Sequence, residues 1–148
     1  MRTKLLALLA VGAIAVPAAA THAQSSQRGI SKGNIIFNYT CEVLPGQEEA
    51  FRQLVPKLIA AVQQESGTMA YEWSMRPDGK TFDTVEIFQD SSAMVAHVKD
   101  VVTNYGGDLG KTQKGPRLAV FGNPDAEAKK AIEGFHPDYQ TPAGGFMR

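Results

Sequence analysis

Four side chains of this sequence have the types and the spacing to handle an aromatic molecule and a proton. His97 falls in a stretch where Ala93, Met94, His97, Val98 and Val101 recur at helical spacing, so its imidazole lies on an apolar helix face. An imidazole with its ordinary pKa of about 6.5 accepts a proton near neutrality, which is the work of a general base. The same position also suits a core histidine satisfied by a backbone carbonyl or by Glu86, and both readings stand at this point. Tyr71 and Trp73 alternate with Ala70, Glu72 and Ser74 between Met69 and Met75, so one strand face carries two rings with polar tips. That face suits a flat aromatic ligand, and equally an aromatic core stripe. A buried indole N–H needs an acceptor, which makes Trp73 the more telling of the pair. Tyr39 shares a face with Phe37 and Cys41, while Asn38 points the opposite way. Glu72 and Glu86 are explained as cross-strand or dimer-facing charges and receive no catalytic role.

The elements that position these groups follow from periodicity. Ile35 to Val43 alternates with period two and predicts a strand, which Pro45-Gly46 ends. Phe51, Leu54, Val55, Leu58 and Val62 then predict an amphipathic helix ending near Gly67, with a kink or break at Pro56. Met69–Met75 and Thr81–Gln89 form a hairpin around the Pro77-Asp78-Gly79 turn. Asp90 or Ser91 caps a second helix, which is expected to run out before Gly106-Gly107. After a glycine- and lysine-bearing loop, Arg117–Phe121 is a short last strand. Asn123-Pro124 opens a short helix through Ile132 that stops at Gly134, and Pro137 to Arg148 reads as an irregular tail. The tail region carries Phe135, His136, Tyr139 and Phe146, so it is expected to pack over the domain or a dimer mate. The fold class is α+β: a ferredoxin-like βαββαβ order, a four-stranded antiparallel sheet with two helices on one face. The other face is expected to carry Ile36, Phe82, Phe88 and Phe121, and pairing in a two-fold homodimer covers it.

The chain of 148 residues has room for a single such domain. Arg2 and Lys4, an apolar run from Leu5 to Val16 and the small residues Ala18, Ala19 and Ala20 make residues 1–23 a signal peptide, cleaved after Ala23 or Ala20. The expected location is therefore periplasmic or secreted. A polar, Ser/Gln-rich segment at 24–33 is a disordered spacer, 34–122 is the domain, and 123–148 is a C-terminal extension. The apolar run falls short of the roughly 20 residues of a spanning helix, so no membrane insertion is expected. With 15 basic and 15 acidic residues and no basic cluster, nucleic acid is not expected as a partner. One cysteine and the scattered His22, His97 and His136 give no metal-ligand spacing, and no phosphate-cradling glycine loop is present. Cys41 is expected to be buried as a small hydrophobe.

Three stretches carry a family resemblance. Val43-Leu44-Pro45-Gly46-Gln47-Glu48-Glu49-Ala50-Phe51 resembles the strand-to-helix junction of the antibiotic biosynthesis monooxygenase-like (ABM) family. Glu65-Ser66-Gly67-Thr68-Met69-Ala70-Tyr71-Glu72 is similar to that family's entry into its second strand, and Val85 to Val98 to its third strand and second helix. The resemblance covers about Ile35 to Phe121 and implies a dimeric α/β barrel. It further implies a cofactor-free oxygenase of quinols or anthrones, or a non-catalytic module binding a small ligand. An electron-rich phenol loses a proton in such a reaction, and its anion reduces dioxygen directly, so no cofactor is expected. The haem-degrading branch of the family uses an Asn on the first strand, which Asn38 matches, with a Trp and a His on or after the second helix. His97 stands where that Trp would be and no His follows in Lys99 to Gly115, so haem is not supported. The candidate catalytic residues are His97 and Trp73, with Tyr71, Tyr39 and Asn38 as contacts to a small aromatic substrate; Asn38 enters through the resemblance alone.

Overall fold

The structure is a computed structural model that describes residues 33–144. The signal peptide assigned to 1–23, nearly all of the spacer at 24–33 and the last four residues lie outside the described residues. The elements are β1 (Ile35–Val43), α1 (Glu48–Val62), β2 (Thr68–Met75), β3 (Thr81–Phe88), α2 (Ser91–Thr112), β4 (Gln113–Phe121), α3 (Ala126–Ile132), a 3-10 turn (Glu133–Phe135) and β5 (Asp138–Tyr139). The sheet runs β2-β3-β1-β4-β5. Its first four strands are antiparallel neighbours, and the two-residue β5 lies parallel to β4. This is the ferredoxin-like arrangement extended by one short edge strand. The tail expected to be irregular thus contributes a fifth strand, because Gln140 N–H donates to Val120 O along the open edge of β4.

Local chemistry explains most of the boundaries. Asp78 accepts from the N–H groups of Lys80 and Thr81, and Gly79 takes a φ of +67°, which closes the β2–β3 hairpin where its turn residues placed it. The Asp90 side chain accepts from Ala93 N–H and caps α2. The third helix is capped by Asp125, which accepts from Ala128 N–H, two residues beyond the expected Asn123. No break occurs at Pro56: α1 is continuous through it, because burying Phe51, Leu54, Leu58 and Val62 outweighs one lost hydrogen bond. Nor does α2 stop before Gly106. It runs through Gly106, Gly107 and Gly110 to Thr112, and β4 begins at once at Gln113, leaving no loop.

The larger correction concerns β3. Phe82 and Phe88 are fully buried with Thr84 and Glu86 on the face that meets the helices, while Asp83, Val85 and Ile87 turn outward. Phe88 packs edge-on to Phe37 of β1, at a centroid distance of 5.0 Å. The outward face therefore carries Ile36, Val85, Ile87 and Phe121, of which Val85 and Phe121 are exposed. Among the described residues no helix is long and apolar enough to cross a membrane.

Candidate functional site

Six residues on three adjacent strands form the floor of a cavity of about 540 Å³. The register sets them in two rows: Trp73 beside Thr84 beside Tyr39, and Tyr71 beside Glu86 beside Phe37. The roof is α2, with Val98, Val101 and Leu109 facing down, and Phe135 of the 3-10 turn closes one side. Gly106 and Gly110 also line it. A Cβ at Gly106 would meet only Val102 Cγ1, at 3.8 Å, and one at Gly110 would meet nothing within 4 Å. Gly106, read as part of a helix stop, and Gly110 are thus a thin part of the cavity wall.

His97 projects from α2 onto the floor and is buried. Its Nδ1 lies 2.9 Å from Glu65 Oε2 and its Nε2 lies 3.2 Å from Glu86 Oε2, so the ring sits between two carboxylates. Glu86 Oε1 also accepts from the Thr84 hydroxyl at 2.7 Å, and Glu65 accepts from the Thr68 hydroxyl. Burial by itself disfavours the imidazolium, but the hydrogen bond and charge of Glu86, joined by those of Glu65, outweigh it and raise the His97 pKa above its ordinary value. The ring also contacts Tyr71 and Phe88, with centroids at 5.6 and 5.0 Å.

Glu65 reaches this cluster because of a glycine. It sits in the turn after α1, and at Gly67 a Cβ would lie 2.4 Å from the Cβ of Ala93, one helical turn before His97. Only a residue without that atom lets the turn rest against α2 and present Glu65 to the ring.

The two tyrosines of the floor are neutral hydroxyls. Burial raises the Tyr39 phenol well above its ordinary range, helped by its contact with Cys41, and burial followed by the Glu86 charge does the same to Tyr71. Tyr39 Oη accepts from Gln113 Nε2 at 2.9 Å and lies 3.5 Å from Cys41 Sγ, whose thiol donates to Lys114 O. Burial raises the thiol's pKa, so Cys41 stays a protonated link in this chain. The Trp73 Nε1 and Gln113 Oε1 atoms are buried without a hydrogen-bond partner in the structure.

The structure therefore brings His97, Trp73, Tyr71 and Tyr39 to one cavity. It does not bring Asn38 there: that side chain is on the outward face and donates to Thr84 O at 3.1 Å. Sequence reasoning offered Glu86 as a partner of a core His97 but gave it no role in the site, and passed over Glu65. The spacing Phe82-Thr84-Glu86-Phe88 was the available signal for Glu86, since a carboxylate between two core phenylalanines must be buried and paired. Nothing in the local sequence marks Glu65. Among the described residues no group of three His, Cys, Asp or Glu side chains is arranged to hold a metal ion.

The site thus consists of a ferredoxin-like sheet roofed by two helices, with an aromatic cavity between sheet and α2. Residues 35–101 match the antibiotic biosynthesis monooxygenase family. No curated protein matches the chain. Among solved structures, MupZ from Pseudomonas fluorescens is similar over 78% of this chain and 95% of its own, with a TM-score of 0.68 and 17% identity. A candidate antibiotic biosynthesis monooxygenase from Caulobacter crescentus is 23% identical, with a TM-score of 0.55, over 60% of this chain and 87% of its own. Rv0793 from Mycobacterium tuberculosis is 19% identical, with a TM-score of 0.56, over 62% of this chain and 96% of its own. At these identities the likenesses establish the fold.

Proposed function

We propose that this protein is a cofactor-independent monooxygenase of a small quinol-like or polycyclic aromatic compound, exported from the cytoplasm and acting as a homodimer. One observation carries the reading: a Glu86 carboxylate, backed by His97, lines a mostly aromatic and aliphatic cavity of about 540 Å³. Both His97 nitrogens already face carboxylates, so the proton of the substrate passes to the Glu86–His97 pair at the carboxylate oxygen. The resulting anion gives its electrons to dioxygen. With an anthrone one oxygen atom becomes the new carbonyl and the other leaves as water with the two hydrogens of the oxidised carbon; with a quinol one oxygen atom enters as the hydroxyl of a hydroxyquinone and the other leaves as water. Low polarity in the cavity keeps the anion reactive, and the Tyr71 hydroxyl is a donor for its oxygen. Export is supported by the leader at 1–23, and the dimer by the outward face of Ile36, Val85, Ile87 and Phe121.

The test is oxygen consumption by the purified mature protein with a panel of hydroquinones and anthrones, without added flavin or metal. Uptake above the spontaneous rate is expected, with the quinone formed from an anthrone and the hydroxyquinone from a hydroquinone. Ligand binding without uptake would favour a second reading, a dimeric small-ligand-binding module. The full engagement of His97 is the observation that favours it.

A further inference from the structure

The charges around the cavity are one-sided. Two carboxylates flank one imidazole, and no Lys or Arg is among the lining residues. Even with His97 protonated, the polar end keeps an excess of negative charge. Glu86 opens this charge to the cavity. An ionised carboxylate offers about four acceptor positions and no donor; Thr84 and His97 use two of those of Glu86. The hydroxyls of Tyr39 and Tyr71 remain neutral, so neither supplies a counter-charge. Away from this end the walls are Val98, Leu109, Leu118 and Phe135, which offer apolar contact, with the uncharged Gln113 amide, already donating to Tyr39, beside them.

We infer that the cavity selects uncharged aromatic hydroxy compounds, held by a hydroxyl that donates to Glu86, and rejects aromatic carboxylates of the same size. A phenolic O–H satisfies a free lone pair of Glu86 while its rings fill the apolar part. A carboxylate in the same pose brings like charge against like, with no free cation to receive it, since both His97 nitrogens already face Glu65 and Glu86. This inference rests on the aromatic-ligand reading of the cavity proposed above, and it concerns binding, not turnover.

Isothermal titration of the mature protein with 2-naphthol and with 2-naphthoate at neutral pH separates the possibilities. The expected result is that 2-naphthol binds tighter by about tenfold or more. Glu86→Gln, whose melting temperature is measured alongside, should weaken 2-naphthol and narrow the gap between the two ligands. The wild-type comparison stands even if that variant fails to fold. Equal or tighter binding of 2-naphthoate would overturn the selection and leave the aromatic cavity intact. Binding of neither ligand would overturn both the selection and the aromatic-ligand reading on which it rests.

Discussion

Under α1 an aromatic and aliphatic cluster packs on the sheet, beside a second cavity of about 450 Å³ that has no titratable pair at its floor and is lined by Phe51, Val55, Trp73 and Phe82 among others. Phe51 meets Phe82 at 4.6 Å and Phe82 stacks on Trp73 at 5.2 Å, with Cys41 and Val43 completing an apolar cluster. Under α2 the same sheet meets a helix whose buried residues are Met94, His97 and Thr112, and a cavity remains between them. Trp73 stands at the border and lines both regions. The difference shows how one fold divides its labour. The α1 side lays aromatic and aliphatic side chains on the strands, whereas α2 turns an imidazole, valines, Leu109 and glycines toward its cavity. Packing gives way there to a polar cluster that must be satisfied by pairing.

The comparison breaks most sharply if one member of each region is removed. His97→Ala would leave Glu65 and Glu86 buried around an empty position, and losing one partner of a buried charged cluster costs about 3–5 kcal/mol. Leu58→Ala, in the fully buried row of α1, opens a cavity worth roughly 2–5 kcal/mol. Urea denaturation measures both. The expected distinction lies in their pH response, since only the His97 loss involves groups that titrate.

A smaller effect sharpens the same point. A histidine whose folded pKa is raised stabilises the fold fully below its unfolded value of about 6.5, and that contribution disappears as pH rises through the folded value. His97 is such a group. The wild-type denaturation midpoint should therefore carry a component that falls as pH rises above about 6.5. In His97→Ala that component should be absent. A wild-type profile that rises or stays flat across this window would show that the glutamates do not hold the ring as an imidazolium.

What the sequence made legible divides along the same line. The α1 side was readable because Phe51, Leu54, Leu58 and Val62 repeat at one period and are buried together, Phe51 joining Cys41 and Val43 of β1. The turn at Asp78-Gly79 was readable because its chemistry is local. On β3 the alternation offered two faces of nearly equal apolar content, Phe82 with Phe88 or Val85 with Ile87, and Glu86 weighed against the first. The deciding fact is the pairing of Glu86 with His97 and of His97 with Glu65, 32 positions away. No local pattern encodes such a contact. The glycines of α2 misled for a related reason: each costs a helix about 1 kcal/mol against alanine, but the last turn is held by tertiary contacts such as buried Thr112.

Gly106 offers the most direct test of the claim that chemistry occurs under α2. Gly106→Leu should cost no stability and should gain up to about 1 kcal/mol of helix propensity, because its Cβ meets only an ordinary contact with Val102. Its side chain would occupy cavity space. Oxygen uptake should be measured on wild type and Gly106→Leu from matched preparations, with the best quinol or anthrone of the panel and melting temperature as control. The account predicts an equal or higher melting temperature with uptake reduced by about tenfold or more, the loss expected when a substrate is displaced from its reactive position. Undiminished uptake by a well-folded Gly106→Leu would contradict it and place the reaction elsewhere on the molecule.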